Sequence, residues 1–322
     1  MTRSLHDAAD DEALLALLAA APGAPPRGVS ALVRESLADR TAFSIEALTV
    51  TLPGREQRLL RKDFARSQLP AAGRRRRACR EIAVYRDLLP GKALGTAAYH
   101  GSIWDEEHGR FWLVLEYVPG QRLELFDHWL LAAAWLGRLQ RAFAGSSAPA
   151  SLEQHDARFF RATAEIAHKQ VLRCVPSAAP RLRAVVDSLA PVVELWAAQP
   201  RTLVHGSYRQ QNILVDANAA PPRICPIDWE HAAWGAPLYD LAFLTAGLGT
   251  TKTTRLLDAY RTAAASNGVD TPPAAEALAI VRSFQLFKLL RSLTRARRWG
   301  YAEATVIQLV TLAEEARRGL AI

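Results

Sequence analysis

The 322-residue sequence predicts an α+β protein, with a small antiparallel-sheet region ahead of a larger, mostly helical one. Three observations lead there. Between Val29 and Phe64, apolar and polar residues alternate in short runs, the pattern of half-buried strands. Between Leu203 and Ile227, two apolar runs flank a turn, and each ends in polar residues. From Pro237 to Ile322 the chain is almost wholly helical in pattern, with breaks near 247–252, at 268–273 and at Gly300.

Taken in order, residues 11–21 read as a short helix ended by Pro22-Gly23 and Pro25-Pro26, within a helical and Pro-rich extension over 1–27. Ala47–Thr51 and Leu59–Phe64 read as strands joined through a Pro53-Gly54 turn. Ala78–Leu89 reads as an amphipathic helix whose apolar side carries Ala78, Ile82, Val84, Tyr85, Leu88 and Leu89, with Glu81 in its middle. A carboxylate on a buried stripe needs a partner, and Lys62 is the natural one; the plainer alternative is an edge-exposed Glu81. Gly73–Arg77 is a dense basic run, either a solvated loop at the helix start or a contact for an anionic partner. The helix dipole disfavours cations at that end.

Phe111–Val118, FWLVLEYV, is a continuous apolar run bounded by Pro119-Gly120 and reads as a buried strand. Trp129, Ala132, Leu136, Leu139 and Phe143 recur at helical spacing, and 151–175 and 180–198 read as further helices. Near the end, Lys288, Arg291, Arg295 and Arg298 share one helical face. Such a stripe either faces solvent or lines a groove that a polycation would not enter.

The bulk properties narrow the classes. Half the residues are hydrophobic, which excludes wholesale disorder. Cys79, Cys174 and Cys225 show no disulfide or zinc spacing, which fits a reducing cytosol. No run reaches the ~18 apolar residues that span a bilayer, so no membrane association and a cytoplasmic location are expected. The net charge of +8 admits nucleic acid or an anionic substrate, but no aromatic-basic motif of recognised type supports nucleic acid. The cations are almost all Arg, with Lys only at 62, 92, 169, 252 and 288.

The informative stretch is Leu203–Ala242. His205-Gly206-Ser207 follows an apolar run, Asn212 opens the next, residues 216–222 read as a turn, and Arg223–Ile227 delivers Asp228, followed by Trp229-Glu230. An Asn and an Asp at neighbouring strand ends offer hard oxygen ligands to one divalent cation. The pattern HGSxxxxNIL, then IDWE and YDLA, resembles the aminoglycoside phosphotransferase and choline kinase family, which reads HGDxxxxNIL. Ser207 stands where that family carries its catalytic aspartate.

The resemblance implies a protein-kinase-like fold of two lobes: a nucleotide-covering lobe over 1–118, and a helical lobe over 119–322 with the catalytic-loop hairpin at 203–230. It implies ATP and Mg2+ as cofactors and a small-molecule or peptide hydroxyl as phosphate acceptor. On this basis Lys62 holds the nucleotide phosphates and Glu81 orients it, while backbone around Glu116, Tyr117 and Val118 meets the adenine. Asn212 and Asp228 hold the metal, Asp240 braces the loop through His205 or nearby backbone, and Ser207 lies at the transfer site. Ser36–Ser44 is the weak candidate for a phosphate-covering loop, since GxGxxG and Walker patterns are lacking. A neutral hydroxyl at Ser207 orients a substrate but does not take its proton unaided, so the alternative to an active kinase is a pseudokinase that binds nucleotide and regulates or scaffolds a partner.

Overall fold

The computed structural model describes residues 5–20, 31–37, 43–52, 54–65, 71–266 and 268–320. It divides into two units, Met1–Gln121 with Leu214–Glu230, and Arg122–Ile213 with His231–Ile322. The prolines expected to end the first helix, Pro53 of the first hairpin, and residues 38–42 of the candidate phosphate-covering loop lie outside the described residues.

In the first unit, helix α1 (Leu5–Ala20) precedes strands β1 (Ala31–Leu37), β2 (Ser44–Leu52) and β3 (Arg55–Asp63). The alternation in β2 buries Leu48, Val50 and Leu52. With Leu14 and Leu18 of α1, and Leu59, Trp112 and Val114 from neighbouring strands, they form the core of this unit. Helix α2 spans Ala71–Ala83 and continues into one π-helical turn, Val84–Leu88, where the expected helix ran to Leu89. Arg74–Arg77 therefore lie inside the first turns of the helix and not in a loop before it.

Strands β4 (Tyr99–Asp105) and β5 (Arg110–Glu116) complete an antiparallel sheet in the order β1-β2-β3-β5-β4. Lys62 stands opposite Leu113 of β5. Its neighbour Arg61 points to the other face of the pleat. There its guanidinium lies 4.5 Å from the Trp112 ring centre and 2.8 Å from Glu46, which compensates a buried cation.

After the two-residue strand β6 (Gln121–Arg122) comes helix α3 (Phe126–Ala142), then β7 (Glu153–Gln154) and helix α4 (Ala157–Cys174). Asp156 caps α4 by accepting the Phe159 N–H at 2.8 Å, so residues 151–156 stay outside the helix. The expected 180–198 helix is two, α5 (Ala179–Asp187) and α6 (Ala190–Ala198), because Pro191 starts a new one.

Strand β8 (Thr202–Val204) leads to the His205 turn; β9 (Ile213–Asp216) and β10 (Arg223–Pro226) form the hairpin before Asp228; β11 (Ala233–Gly235) pairs antiparallel with β8 and parallel with β7. Helices α7 (Leu238–Thr245), α8 (Thr250–Ala265), α9 (Ala274–Leu293) and α10 (Glu303–Arg318) follow; α8 begins inside the break expected near 247–252, and α9 ends before Arg295 and Arg298, which lie in turns and not on one helical face with Lys288 and Arg291.

The second unit's core is aromatic. Phe160 meets Phe287 edge to face at 5.0 Å, and Trp196 stacks on Phe284 at 5.7 Å while donating Nε1–H to Ser283 at 2.9 Å. Gly137 lets α3 approach α8: a Cβ there would lie 2.6 Å from the Tyr260 carbonyl. Among the described residues, no helix is long and apolar enough to cross a membrane.

Candidate functional site

Lys62 is buried near the end of β3, with its Nζ 2.7 Å from Glu81 Oε2 and 2.6 Å from Asp228 Oδ1. Burial alone favours the neutral amine, but Asp228, Glu81 and Glu230 outweigh it and hold the ammonium above the ordinary lysine range. Glu81 is almost fully buried; desolvation pushes its carboxyl up, and the adjacent ammonium opposes that shift. The arrangement is a buried charge cluster whose pairing keeps each member tolerable.

Asp228 follows β10 in a left-handed conformation, φ 67°, which is uncommon for a residue with a Cβ. The turn is held on both sides. Trp229 is fully buried and donates Nε1–H to the Pro226 carbonyl at 3.2 Å. Helix α2 holds the next residue: Arg77 donates to the Glu230 carboxylate at 3.1 Å, and Arg80 to the Glu230 carbonyl at 3.2 Å. Because 77, 80 and 81 share one helical face, the helix that carries Glu81 also anchors the turn carrying Asp228. Tyr85, four residues beyond Glu81 and inside the π turn, is fully buried, and its hydroxyl meets no partner among the described residues.

At the end of β5, Glu116 is gripped by Arg223 of β10 at 2.6 and 2.8 Å, which holds its carboxyl below the usual range. The Glu116 N–H goes to the Ala98 carbonyl at 2.8 Å and the Tyr117 N–H to the Arg58 carbonyl at 3.3 Å. Val118 is buried, and its carbonyl accepts from Gly120 at 2.8 Å.

In the second unit, β8 ends and the chain turns sharply through His205, Gly206 and Ser207, all nearly or wholly buried. Asp240, in the first turn of α7, accepts the main-chain N–H groups of His205 and Gly206, the latter at 3.0 Å. Burial pushes the Asp240 carboxyl up to about 7, against the pull of these N–H donors and of Arg291. The His205 ring accepts the Ser207 N–H on Nδ1 at 3.3 Å. Gly206, at φ 75°, is required: a Cβ would fall 1.9 Å from the His231 carbonyl oxygen.

Asn212, the last residue of a short 3₁₀ turn, directs Nδ2 to the Ser207 carbonyl at 3.0 Å, with the Ser207 hydroxyl at 3.4 Å. From α9, Arg291 donates to the Gly206 carbonyl and to the Tyr239 hydroxyl, so that part of the basic stripe packs on the loop and does not face solvent. Arg295 is 3.2 Å from His231.

The expected residues thus gather in two groups: Lys62, Glu81 and Asp228 in the first unit, and His205, Ser207, Asn212 and Asp240 in the second. Reading the sequence missed Arg77 and Arg80 as anchors of the Asp228 turn, and Arg223 as the holder of Glu116. The dense basic run was the signal for Arg77, but a contact 153 positions away leaves no local trace.

The family model of the phosphotransferase enzyme family matches residues 50–278. The chain belongs to this family. No curated protein sequence matches it. Among solved structures it is similar to choline kinase LicA from Streptococcus pneumoniae, at 16% identity and a TM-score of 0.60, covering 98% of this chain and 99% of that one. It is also similar to the GDP complex of wild-type aminoglycoside 2'-phosphotransferase-IIIa, at 16% identity and a TM-score of 0.61, over 96% and 98% of the two chains. A ternary complex of a thermostable mutant of the aminoglycoside phosphotransferase APH(4)-Ia with ADP and hygromycin B is 18% identical with a TM-score of 0.57, over 90% and 95%. The fold is therefore protein-kinase-like, and the family is that of kinase-type phosphotransferases.

Proposed function

We propose that the protein transfers the γ-phosphoryl group of ATP, with Mg2+, to a hydroxyl of a small molecule or peptide that is not a polycation, in the cytoplasm. The observation carrying this reading is Lys62, buried and bound at once to Glu81 and Asp228. Phosphoryl transfer asks a protein mainly for positioning and neutralisation of charge, and these are the parts that do so.

Lys62 holds the nucleotide phosphates and Glu81 fixes the lysine. The backbone at Glu116–Val118 receives the adenine; since the Glu116 and Tyr117 N–H groups are engaged within the protein, Val118 supplies the donor. Asp228 and Asn212 suit Mg2+, which favours one or two hard oxygen ligands and completes its shell with phosphates and water. The Asp228 side chain is about a third exposed and only one of its oxygens lies on Lys62, which leaves it room for that role. When bound, the ion neutralises charge on the phosphates.

Asp240 and His205 hold the turn that presents Ser207, and Ser207 orients the acceptor hydroxyl. Its proton ends on a phosphate oxygen as ADP leaves, because a loose transition state asks little of a base and such help is worth only ~10²–10⁴-fold.

Thermal unfolding with ATP and MgCl2 tests the nucleotide site: the melting temperature is expected to rise, and Asp228→Ala to abolish the rise. No rise in the wild type removes the reading. Ser207→Asp is expected to leave the rise intact. Should the wild type transfer no phosphate to any hydroxylated compound or peptide while Ser207→Asp hydrolyses ATP, the protein is a nucleotide-binding pseudokinase.

A further inference from the structure

Tyr85, Tyr208, Tyr239 and Tyr260 are all fully buried. A phenol shut away from water needs a partner for its hydroxyl, and three of these have one. Tyr208 donates to the Ala132 carbonyl at 2.8 Å, Tyr239 accepts from Arg291 at 2.5 Å, and Tyr260 donates to the Gln140 amide oxygen. The Tyr85 hydroxyl meets no partner among the described residues. Phenylalanine would fill the same space without an unsatisfied polar atom, so for packing alone the hydroxyl is unfavourable.

Its place in the fold gives the hydroxyl a use. Tyr85 lies one helical turn beyond Glu81, and the winding stays α-helical through Ala83, so the two side chains share one side of the helix. Each is only 1% exposed. The π turn begins at this point, where the Leu89 N–H reaches the Val84 carbonyl at 3.0 Å, and such turns recur beside functional sites. Burial, then the charges of Cys225, Glu81 and Asp228, hold the phenol well above its ordinary range, so it keeps its proton and serves as a donor.

Without nucleotide, Glu81 is already answered, because Lys62 reaches its Oε2 at 2.7 Å. Lys62 is shared, however, with Asp228 at 2.6 Å. Nucleotide phosphates draw on the same ammonium, and the more of it they take, the less remains for a carboxylate that water does not reach.

We propose that Tyr85 is a positioning residue for nucleotide binding: its hydroxyl donates to the Glu81 carboxylate once phosphates engage Lys62, and so holds Glu81 in place behind the lysine. This rests on the proposed nucleotide site and deepens it. The hydroxyl is then unsatisfied in the free protein and paired in the complex, and its removal favours the first state while weakening the second.

Tyr85→Phe removes the hydroxyl and keeps the ring. Without nucleotide this variant is expected to melt at or above the wild-type temperature. ADP with MgCl2, titrated calorimetrically into the full chain, is expected to bind it roughly tenfold more weakly than the wild type, the loss of one hydrogen bond to a charged group. A Glu81→Met background gives the readout that packing would not move. With the acceptor gone, Tyr85→Phe is expected to weaken ADP binding there by less than about twofold.

Equal affinity of the wild type and Tyr85→Phe overturns the proposal and leaves the nucleotide site standing. A lower melting temperature of nucleotide-free Tyr85→Phe also overturns it, by showing the hydroxyl already paired. So does an undiminished loss in the Glu81→Met background, which would assign the hydroxyl to another acceptor. If the wild type itself does not bind ADP, the nucleotide reading falls and the role of Tyr85 falls with it.

Discussion

Around Lys62, one ammonium is surrounded by the carboxylates Glu81, Asp228 and Glu230, and side-chain charges answer one another. Around Asp240 the arrangement is reversed: one carboxylate is caged largely by peptide N–H groups of the turn it supports. Both keep a buried charge, by different means. A cluster of side chains depends on which charges are present and fails when one is removed. A cage of main-chain donors depends on backbone shape, and it fails when the shape changes even if every charge remains.

Substitution separates the two. Gly206→Ala alters no charge, yet it forces a Cβ into the His231 carbonyl and a non-glycine residue into φ 75°. A loss of about 4 kcal/mol is expected from the combined strain and overpacking, read as the urea midpoint. Lys62→Met leaves the backbone untouched and strands Glu81 without its cation. About 3 kcal/mol is expected, the lower end for a broken buried pair because Asp228 is partly exposed.

Asp240→Asn tests the cage from inside. An amide nitrogen cannot accept the N–H that a carboxylate oxygen accepts, and about 2 kcal/mol should be lost. The pH dependence has a defined sign. Burial raises the folded-state carboxyl to about 7 from an unfolded value near ~3.9, so its favourable contribution is complete below the unfolded value and is lost as pH rises through 7. The stability advantage of wild type over Asp240→Asn should therefore be larger at pH 5 than at pH 8. An equal or reversed difference would show that Asp240 titrates low in the native state. The smallest effect is predicted for Arg75→Gln. Its contact with Glu106 joins two mostly exposed side chains, and less than about 0.5 kcal/mol should follow.

What could be read beforehand follows the same division. The spacing of His205, Ser207, Asn212, Asp228 and Asp240 is local, and so was the place of Glu81 on an apolar stripe. Helices after Pro237 announced themselves through periodicity and breaks. The contacts that lock these parts are not local. Arg77 reaches Glu230, Arg223 reaches Glu116, and Arg291 reaches Gly206, each across 85 or more positions. An arginine's own neighbours do not say which distant carbonyl it will meet. Strand β4 escaped notice because Tyr99–Asp105 lacks a clean alternation and pairs through an irregular step between Tyr99 and Gly101. The helix carrying Arg74–Arg77 begins earlier than its apolar stripe, since arginine is a good helix former even where the dipole disfavours it.

The π turn at Val84–Leu88 bears on how this chain tolerates changes in length. A π turn is an α-helix with one residue too many, so deleting any one residue between 84 and 88 would restore regular winding. Because the extra residue is absorbed locally as a bulge, that deletion would leave Glu81 facing Lys62 and Arg77 facing Glu230, whereas a deletion between 81 and 83, in the regular part of α2, would turn everything before the cut by ~100° relative to everything after it. Single deletions should therefore be accepted at 84–88, as in the exposed turn between β9 and β10, and rejected in the regular winding just before. A deletion scan read by soluble expression would expose this as a sharp boundary near residue 84.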